Sequence, residues 1–519
     1  MNEIGRRDAL GLFFGAGAAL ALSACTSDSP NAEPAEPTTT SRPVPELEDT
    51  VRDLTLKLWA EPTTAEITPG VTTDVYSFGA EVIDGDPASV TPSRSYLGPT
   101  LHVQPGQRVR ISFENRLPEE SIVHWHGLVV AQDQDGQPSD AVAPGATYEY
   151  DFVIDNPPGT YWYHPHPHGR TGEQVYRGLA GLLIIHGEEP DLPTGDNDIA
   201  LVLQDRTIGS DGQLRYLNNM HDQMAGFVGD TLVTNGVTDL TLEVRREPYR
   251  IRLLNGANSR TQYLTWSTGQ PLTALATDGT LLPEATDVEG LVITPAQRTD
   301  LWVDFSAFEP GQQLELLSSD TFIEAGSMMG NGMGNQMGSQ MGSELDLDPS
   351  VAATFVVIDS EPLPGSLPDS LGTPPTFGVA DAVNRDSPKQ ITLTTRRASH
   401  WINNRQWEGR EATDVETVRA NTVELWEFVN QSPMAHPMHL HGKSFLVTSR
   451  TWDDDSAAGS WDSIESGIID ASLRDTVLVW PGQRVQIAVP FGNHRGYFPY
   501  HCHILEHEDT GMMRNFRVT

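Results

Sequence analysis

The 519-residue chain is short of cysteine, of basic side chains and of long apolar runs. Two cysteines, Cys25 and Cys502, cannot build a disulfide framework. Lysine and arginine number 33 against 71 aspartates and glutamates, a formal charge of -38. Such a surface repels nucleic acid and anionic membrane and concentrates cations, although charge alone names no substrate. The apolar stretch from Ala9 to Leu22 is too short and too rich in Gly and Ala to be a membrane span, and no long amphipathic helix stands out. What the chain does have is 46 Gly, 37 Pro and many short Val, Thr and aromatic runs. That pattern predicts β-sandwiches, at a length that holds about three domains.

The last twenty residues carry the densest chemistry: His501-Cys502-His503, then His507 and Met512. Thiolate, imidazole and thioether form the ligand set of a blue copper electron-transfer site. In an extended segment successive side chains alternate faces, so Cys502 points one way while His501 and His503 point the other. One strand thus joins a copper on one face to a second metal cluster on the opposite face. The run His436-Pro437-Met438-His439-Leu440-His441 repeats the logic. His439 and His441 share a face and pair with His501 and His503, whereas His436 pairs with Cys502. Two more His-x-His pairs lie upstream, His124-Trp125-His126 and His164-Pro165-His166. Four pairs make eight imidazoles, more than any single metal takes; three coppers absorb them as two, three and three.

With these four motifs the chain resembles the multicopper oxidases, the laccase and cuprous-oxidase kind in particular. The resemblance runs from Gly98-Pro99-Thr100 to Met513. It implies an all-β fold of three cupredoxin-like Greek-key β-sandwich or barrel domains and four copper ions. Carried over, it gives His436, Cys502, His507 and axial Met512 to the type 1 copper, and His124 and His439 to type 2. The binuclear type 3 pair takes His126, His164, His166, His441, His501 and His503. The run His164-Pro-His166-Pro-His168 allows a slip by two; the family pattern takes the first two and leaves His168 as an outer or surface residue. Glu506 and Asp135 match family positions for acids near the cluster. Glu506 is expected to give protons to reduced oxygen and Asp135 to modulate the type 2 copper and its water.

The domain plan expected is residues 51–190, 191–362 and 363–519, with the cluster between the first and third. Ahead of them, Arg6-Arg7, the apolar stretch and Leu22-Ser23-Ala24-Cys25 resemble a twin-arginine export signal over residues 1–25 that closes in a bacterial lipobox. Cys25 would then carry lipid and tether the enzyme outside the cytoplasmic membrane, by that anchor alone. Residues 26–50, rich in Ser, Pro, Thr, Ala and Glu, read as a disordered stalk.

Substrate is approached through methionine. Met328, Met329, Met333, Met337 and Met341 stand among Gly, Asn, Gln and Ser within residues 326–343, a composition that cannot form a core. Thioether prefers Cu(I) to hard cations. Met434, two before His436, matches a family position that touches substrate copper, although Ser432 replaces its acidic partner and Asp453, Asp454 and Asp455 are the candidate substitutes. Met220, His221 and Met224 form a further soft-metal grouping. The expected function is oxidation of Cu(I) coupled to reduction of O2 to water, for copper detoxification at the cell envelope. Phenolic substrates or Fe(II) are the alternative. A scaffold that has lost catalysis is disfavoured because every ligand position is filled.

Overall fold

The computed structural model describes residues 52–320, 349–397, 399–453 and 461–519. Cys25, the five methionines from Met328 to Met341, and Asp454 and Asp455 lie outside the described residues.

Strand formation follows from side-chain alternation. In Leu54–Glu66, Leu54, Leu56, Leu58 and Ala60 are buried, while the residues between them are only partly covered. That period of two is what a half-buried strand requires. The strand pairs antiparallel with Thr72–Asp84 and parallel with Arg108–Asn115.

Among the described residues six sheets form three pairs that succeed one another along the chain, the two sheets of each pair taking their strands from the same stretch. The first pair has four and five strands, the second seven and five, the third six and five. Each pair encloses its own apolar core: Ile111, Phe113 and Trp125 in the first, Leu253, Leu301 and Phe355 in the second, Trp426, Phe428 and Ile487 in the third. The all-β expectation holds.

The four strands that carry the paired histidines break the alternation and are buried on both faces. Val123–His126, Gly159–Pro165 and His436–Leu440 are buried throughout, as is the Phe498–Cys502 part of Gly496–Cys502. One face packs into its own sandwich while the other meets a neighbouring sheet pair. Register then fixes the histidines: His124 lies opposite His164, His439 opposite His501, and Met438 opposite Cys502.

Three one-turn helices complete the site region, α1 (Thr171–Tyr176), α2 (Met220–Ala225) and α3 (Leu505–Asp509). From α3, Asp509 accepts hydrogen bonds from Thr171 N at 2.8 Å and Gly172 N at 2.9 Å, placing a carboxylate at the start of α1. Among the described residues no helix is long and apolar enough to cross a membrane.

Candidate metal centre

All eight imidazoles of the His-x-His pairs are buried and converge between the first and third sheet pairs. They sort by which atoms meet. His126, His164 and His503 form one group, and His166, His441 and His501 a second; His124 and His439 close the space between them, sharing a group with His126.

Hydrogen bonds on the outer nitrogens orient each ring. His124 Nδ1 donates to Asp135 O at 2.7 Å and His439 Nδ1 to Asp475 O at 2.8 Å. Nε2 of both rings is buried without a partner. His164 Nδ1 donates to Pro165 O at 2.9 Å and likewise leaves Nε2 bare. His126 is reversed: Nε2 donates to Asp475 Oδ1 at 3.0 Å and Nδ1 is left.

The second group decides what these rings are for. His166 Nδ1 lies 3.1 Å from Glu508 Oε1, His441 Nδ1 2.8 Å from Asp135 Oδ2, and His501 Nδ1 3.0 Å from Cys502 O. His441 and His501 spend their protons outward in these bonds, and His166 turns Nδ1 to the Glu508 carboxylate, so each Nε2 is left to carry a bare lone pair. Those three Nε2 atoms lie 3.1–3.3 Å apart. Three lone pairs aimed at one another repel unless a cation sits among them. The neutral form is also the one a metal needs, and burial lowers the pKa of His124, His126, His164, His439, His441, His501 and His503.

On the other face of Gly496–Cys502, Cys502 Sγ lies 3.4 Å from His436 Nδ1 and 3.6 Å from His507 Nδ1. His436 Nε2 donates to Ser432 Oγ at 2.7 Å and His507 Nε2 to Met224 O at 2.9 Å, so both Nδ1 lone pairs face the sulfur. Met512 is fully buried in the same core cluster. Burial pushes the Cys502 thiol well above its usual range, so a metal entering here displaces a proton. Thiolate, two imidazoles and a thioether fit a copper of the blue type.

Comparison with known proteins agrees with this donor set. Two family profiles, both described as multicopper oxidase, match residues 81–190 and 382–519. Multicopper oxidase mco of Staphylococcus haemolyticus is 30% identical over 430 residues, covering 82% of this chain and 82% of its own. The chain belongs to the multicopper oxidase family. It is similar also to the laccase of Bacillus subtilis, at 27% identity over 82% of this chain and 89% of that one. The crystal structure of McoA multicopper oxidase from the hyperthermophile Aquifex aeolicus superposes with a TM-score of 0.74 at 31% identity, over 93% of this chain and 99% of that chain.

This multicopper oxidase is therefore an oxidoreductase that uses O2 and binds copper. Its carboxylates surround the imidazoles unevenly. Asp135 touches both His124 and His441, and burial raises its pKa to about 7. Gly136 holds that loop in place: its φ is +77°, and a Cβ there would fall 1.8 Å from Val123 O. Glu506 is buried, with Oε1 accepting from Tyr216 Oη at 2.8 Å and Asn258 Nδ2 at 2.9 Å. It lines a cavity of about 510 Å³ together with Tyr216 and Asp509, and burial raises its pKa to about 7.

The acid against the imidazoles on this helix is Glu508, which the sequence reading passed over. Its oxygens lie 3.1 Å from His166 Nδ1 and 3.3 Å from His501 Nδ1. Glu506 and Glu508 are two residues apart on α3, so they leave the helix about 200° apart. Asp475 was missed as well. It accepts from His126 through Oδ1, from His439 through its backbone oxygen, and from Arg298 of the second sheet pair.

His168 is exposed beside Trp407, outside every imidazole group. Ser432 is the acceptor for His436, and Asp453 is an exposed partner of Arg484. Met434 lines a cleft of about 500 Å³ with His221, Asp222, Pro437 and Ile504. Met220, His221 and Met224 share α2, whose last turn covers His507.

Proposed function

We propose that this multicopper oxidase holds four copper ions and couples one-electron oxidation of Cu(I) to four-electron reduction of O2 to water. The observation that carries the substrate is the cleft lined by Ala435 and Pro437, the chain neighbours of His436. Met434, His221 and Asp222 line it too, a thioether, an imidazole and a carboxylate close in sequence to residues of the blue site or, through α2, to the carbonyl that holds His507. Thioether and imidazole suit a monovalent copper substrate, and a carboxylate adds charge attraction. The formal charge of -38 supplies long-range attraction for such a cation.

Copper, when bound, supplies one-electron acceptance at Cys502 and storage of the four electrons that O2 requires. The protein supplies the rest. His436, Cys502, His507 and Met512 hold the accepting site. Peptide links run from Cys502 to His501 and His503, which belong to two different imidazole groups. His124 and His439 hold the third position in the cluster. Asp135 fixes His441 and His124, and Asp475 fixes His126 and His439. Glu506 holds a proton at the cavity, while Glu508 sits on the far side of α3 against His166 and His501. Proton traffic from the cavity to reduced oxygen thus passes around α3, with Glu506 as the reservoir.

A second reading is favoured by the walls of the same cleft. Ala225, Val228, Leu232, Ala435 and Leu478 give it apolar surface, and about 500 Å³ accommodates a phenolic ring. We place the enzyme at the cell envelope, exported by the twin-arginine machinery, lipid-anchored through Cys25, and protecting against copper. Steady-state O2 consumption with Cu(I), Fe(II) and a phenol, on copper-loaded protein with and without residues 326–343, tests the substrate. Loss of Cu(I) turnover with phenol turnover retained supports the cuprous reading. Loss of phenol turnover alone supports the laccase reading.

A further inference from the structure

His400 stands outside the eight cluster imidazoles, yet it is buried to 0% exposure against the blue site. Its ring stacks on His507 with centroids 3.7 Å apart and planes 29° apart, and it meets the His436 ring edge-on at 5.5 Å. His400, His436 and His507 place ring nitrogens within one small group. Three imidazoles therefore surround a site whose donor set needs two.

The hydrogen bonds separate the roles. His400 Nε2 lies 2.8 Å from Met224 O, a carbonyl that can only accept, so Nε2 carries the proton. His400 Nδ1 must then accept, and its partner is the Thr395 hydroxyl at 3.0 Å, directly across the hairpin. Both nitrogens are engaged, leaving no lone pair for a metal. His507 Nε2 donates to the same Met224 oxygen at 2.9 Å. One carbonyl with two lone pairs thus serves two imidazoles, one a copper ligand and one not.

We infer that His400 is a positioning residue for the blue copper site: it locks the plane of the His507 ring by stacking and shares the Met224 carbonyl with it. The consequence is electronic. A metal-bound imidazole whose outer N–H meets a strong acceptor becomes more basic and favours the oxidised metal. A second donor on that acceptor weakens its pull on His507. His400 thereby keeps the site easier to reduce, and it does so from the third sheet pair by way of α2 in the second. Substrate lodged in the cleft, where His221 and Asp222 of α2 are part of the lining, sits on the helix that supplies this carbonyl.

The inference rests on reading His436, Cys502, His507 and Met512 as a blue copper site. Copper-loaded full-length wild type without a blue visible band would defeat that reading and the inference with it. Given the band, the test is spectroelectrochemical titration of wild type, His400→Phe and His400→Gln, with the visible and EPR spectra of each. Phe keeps a ring and loses the donor; Gln keeps an N–H that reaches the same carbonyl. The expected result is a lower potential and a shifted band for Phe, with Gln closer to wild type. An unchanged potential in the Phe variant, or equal changes in Phe and Gln, overturns the role. Where the Phe variant does not load copper, His400→Leu takes its place and removes the same donor from the Met224 carbonyl: a lowered potential supports the inference, and an unmoved one overturns it.

Discussion

Arg298 grips Asp475 through two hydrogen bonds, Nη1 to Oδ1 at 2.9 Å and Nη2 to Oδ2 at 2.6 Å, with neither residue exposed to more than 1%. The arginine belongs to the second sheet pair and the aspartate to the third, and His126 of the first donates to the same Oδ1. Three sheet pairs thus meet at one carboxylate beside the imidazole cluster.

Removing one partner of such a pair leaves a buried charge uncompensated. Arg298→Ala is expected to destabilise the protein by about 3–5 kcal/mol. Denaturant unfolding of the apo protein measures this directly. A loss no larger than that of an exposed arginine would show that the pair is not a joint between sheet pairs.

The cluster draws four histidines from the first sheet pair and four from the third, so copper binds only their assembled form. At free copper about a hundredfold above Kd, this linkage adds about 2.7 kcal/mol per site. Copper removal should lower the thermal midpoint, as calorimetry would register. Equal midpoints for apo and holo protein would mean that the metal does not bridge the two.

Much of this site was legible because strands obey parity. His436 and Cys502 were placed on one face, and His439, His441, His501 and His503 on the other, by counting odd and even offsets. The structure puts His436 Nδ1 at Cys502 Sγ and His441 Nε2 at His501 Nε2. Parity carries no information about helices one turn long or about partners from distant strands. Glu508 was overlooked because α3 turns it, and not Glu506, toward His166 and His501. Asp475 and Arg298 carry no local motif; their meaning appears only when strands some 180 residues apart are brought together. His400 was invisible for the same reason, since its signal is a stack on His507 and a shared carbonyl from α2.

Glu506 gives a pH prediction. Burial raises its pKa to about 7, so it holds a proton in neutral and acidic solution and loses it as pH rises through that value. If it is the proton reservoir, O2 consumption should decline above about pH 7 in wild type, and Glu506→Gln should turn over more slowly without that decline. A Gln variant with the wild-type rate and profile would remove Glu506 from proton delivery.

The apo protein should be acid-labile, and the sign follows from seven imidazoles. Burial holds the pKa of His164 near 3 and of His501 near 4, and lowers those of His124, His126, His439, His441 and His503 well below the ordinary value of 6.5. Below 6.5 the unfolded chain binds protons that the folded chain refuses, so stability falls as pH drops from there toward the folded values. Five carboxyls act in the opposite sense. Burial raises Asp135 and Glu506 to about 7 and Asp475 to about 6, and raises Asp205 and Asp509 as well, so each contributes stability that is lost as pH rises from its unfolded value through its folded one. The seven cluster imidazoles, joined by His102, His186, His400, His436 and His507, which burial also lowers, outnumber them and leave a net gain of stability with pH between about 4 and 6.5. Thermal midpoints of the copper-free protein at about pH 5 and about pH 7 check this. The lower midpoint belongs at the lower pH, and the reverse order would mean that the buried carboxyls, rather than the histidines, control the apo fold.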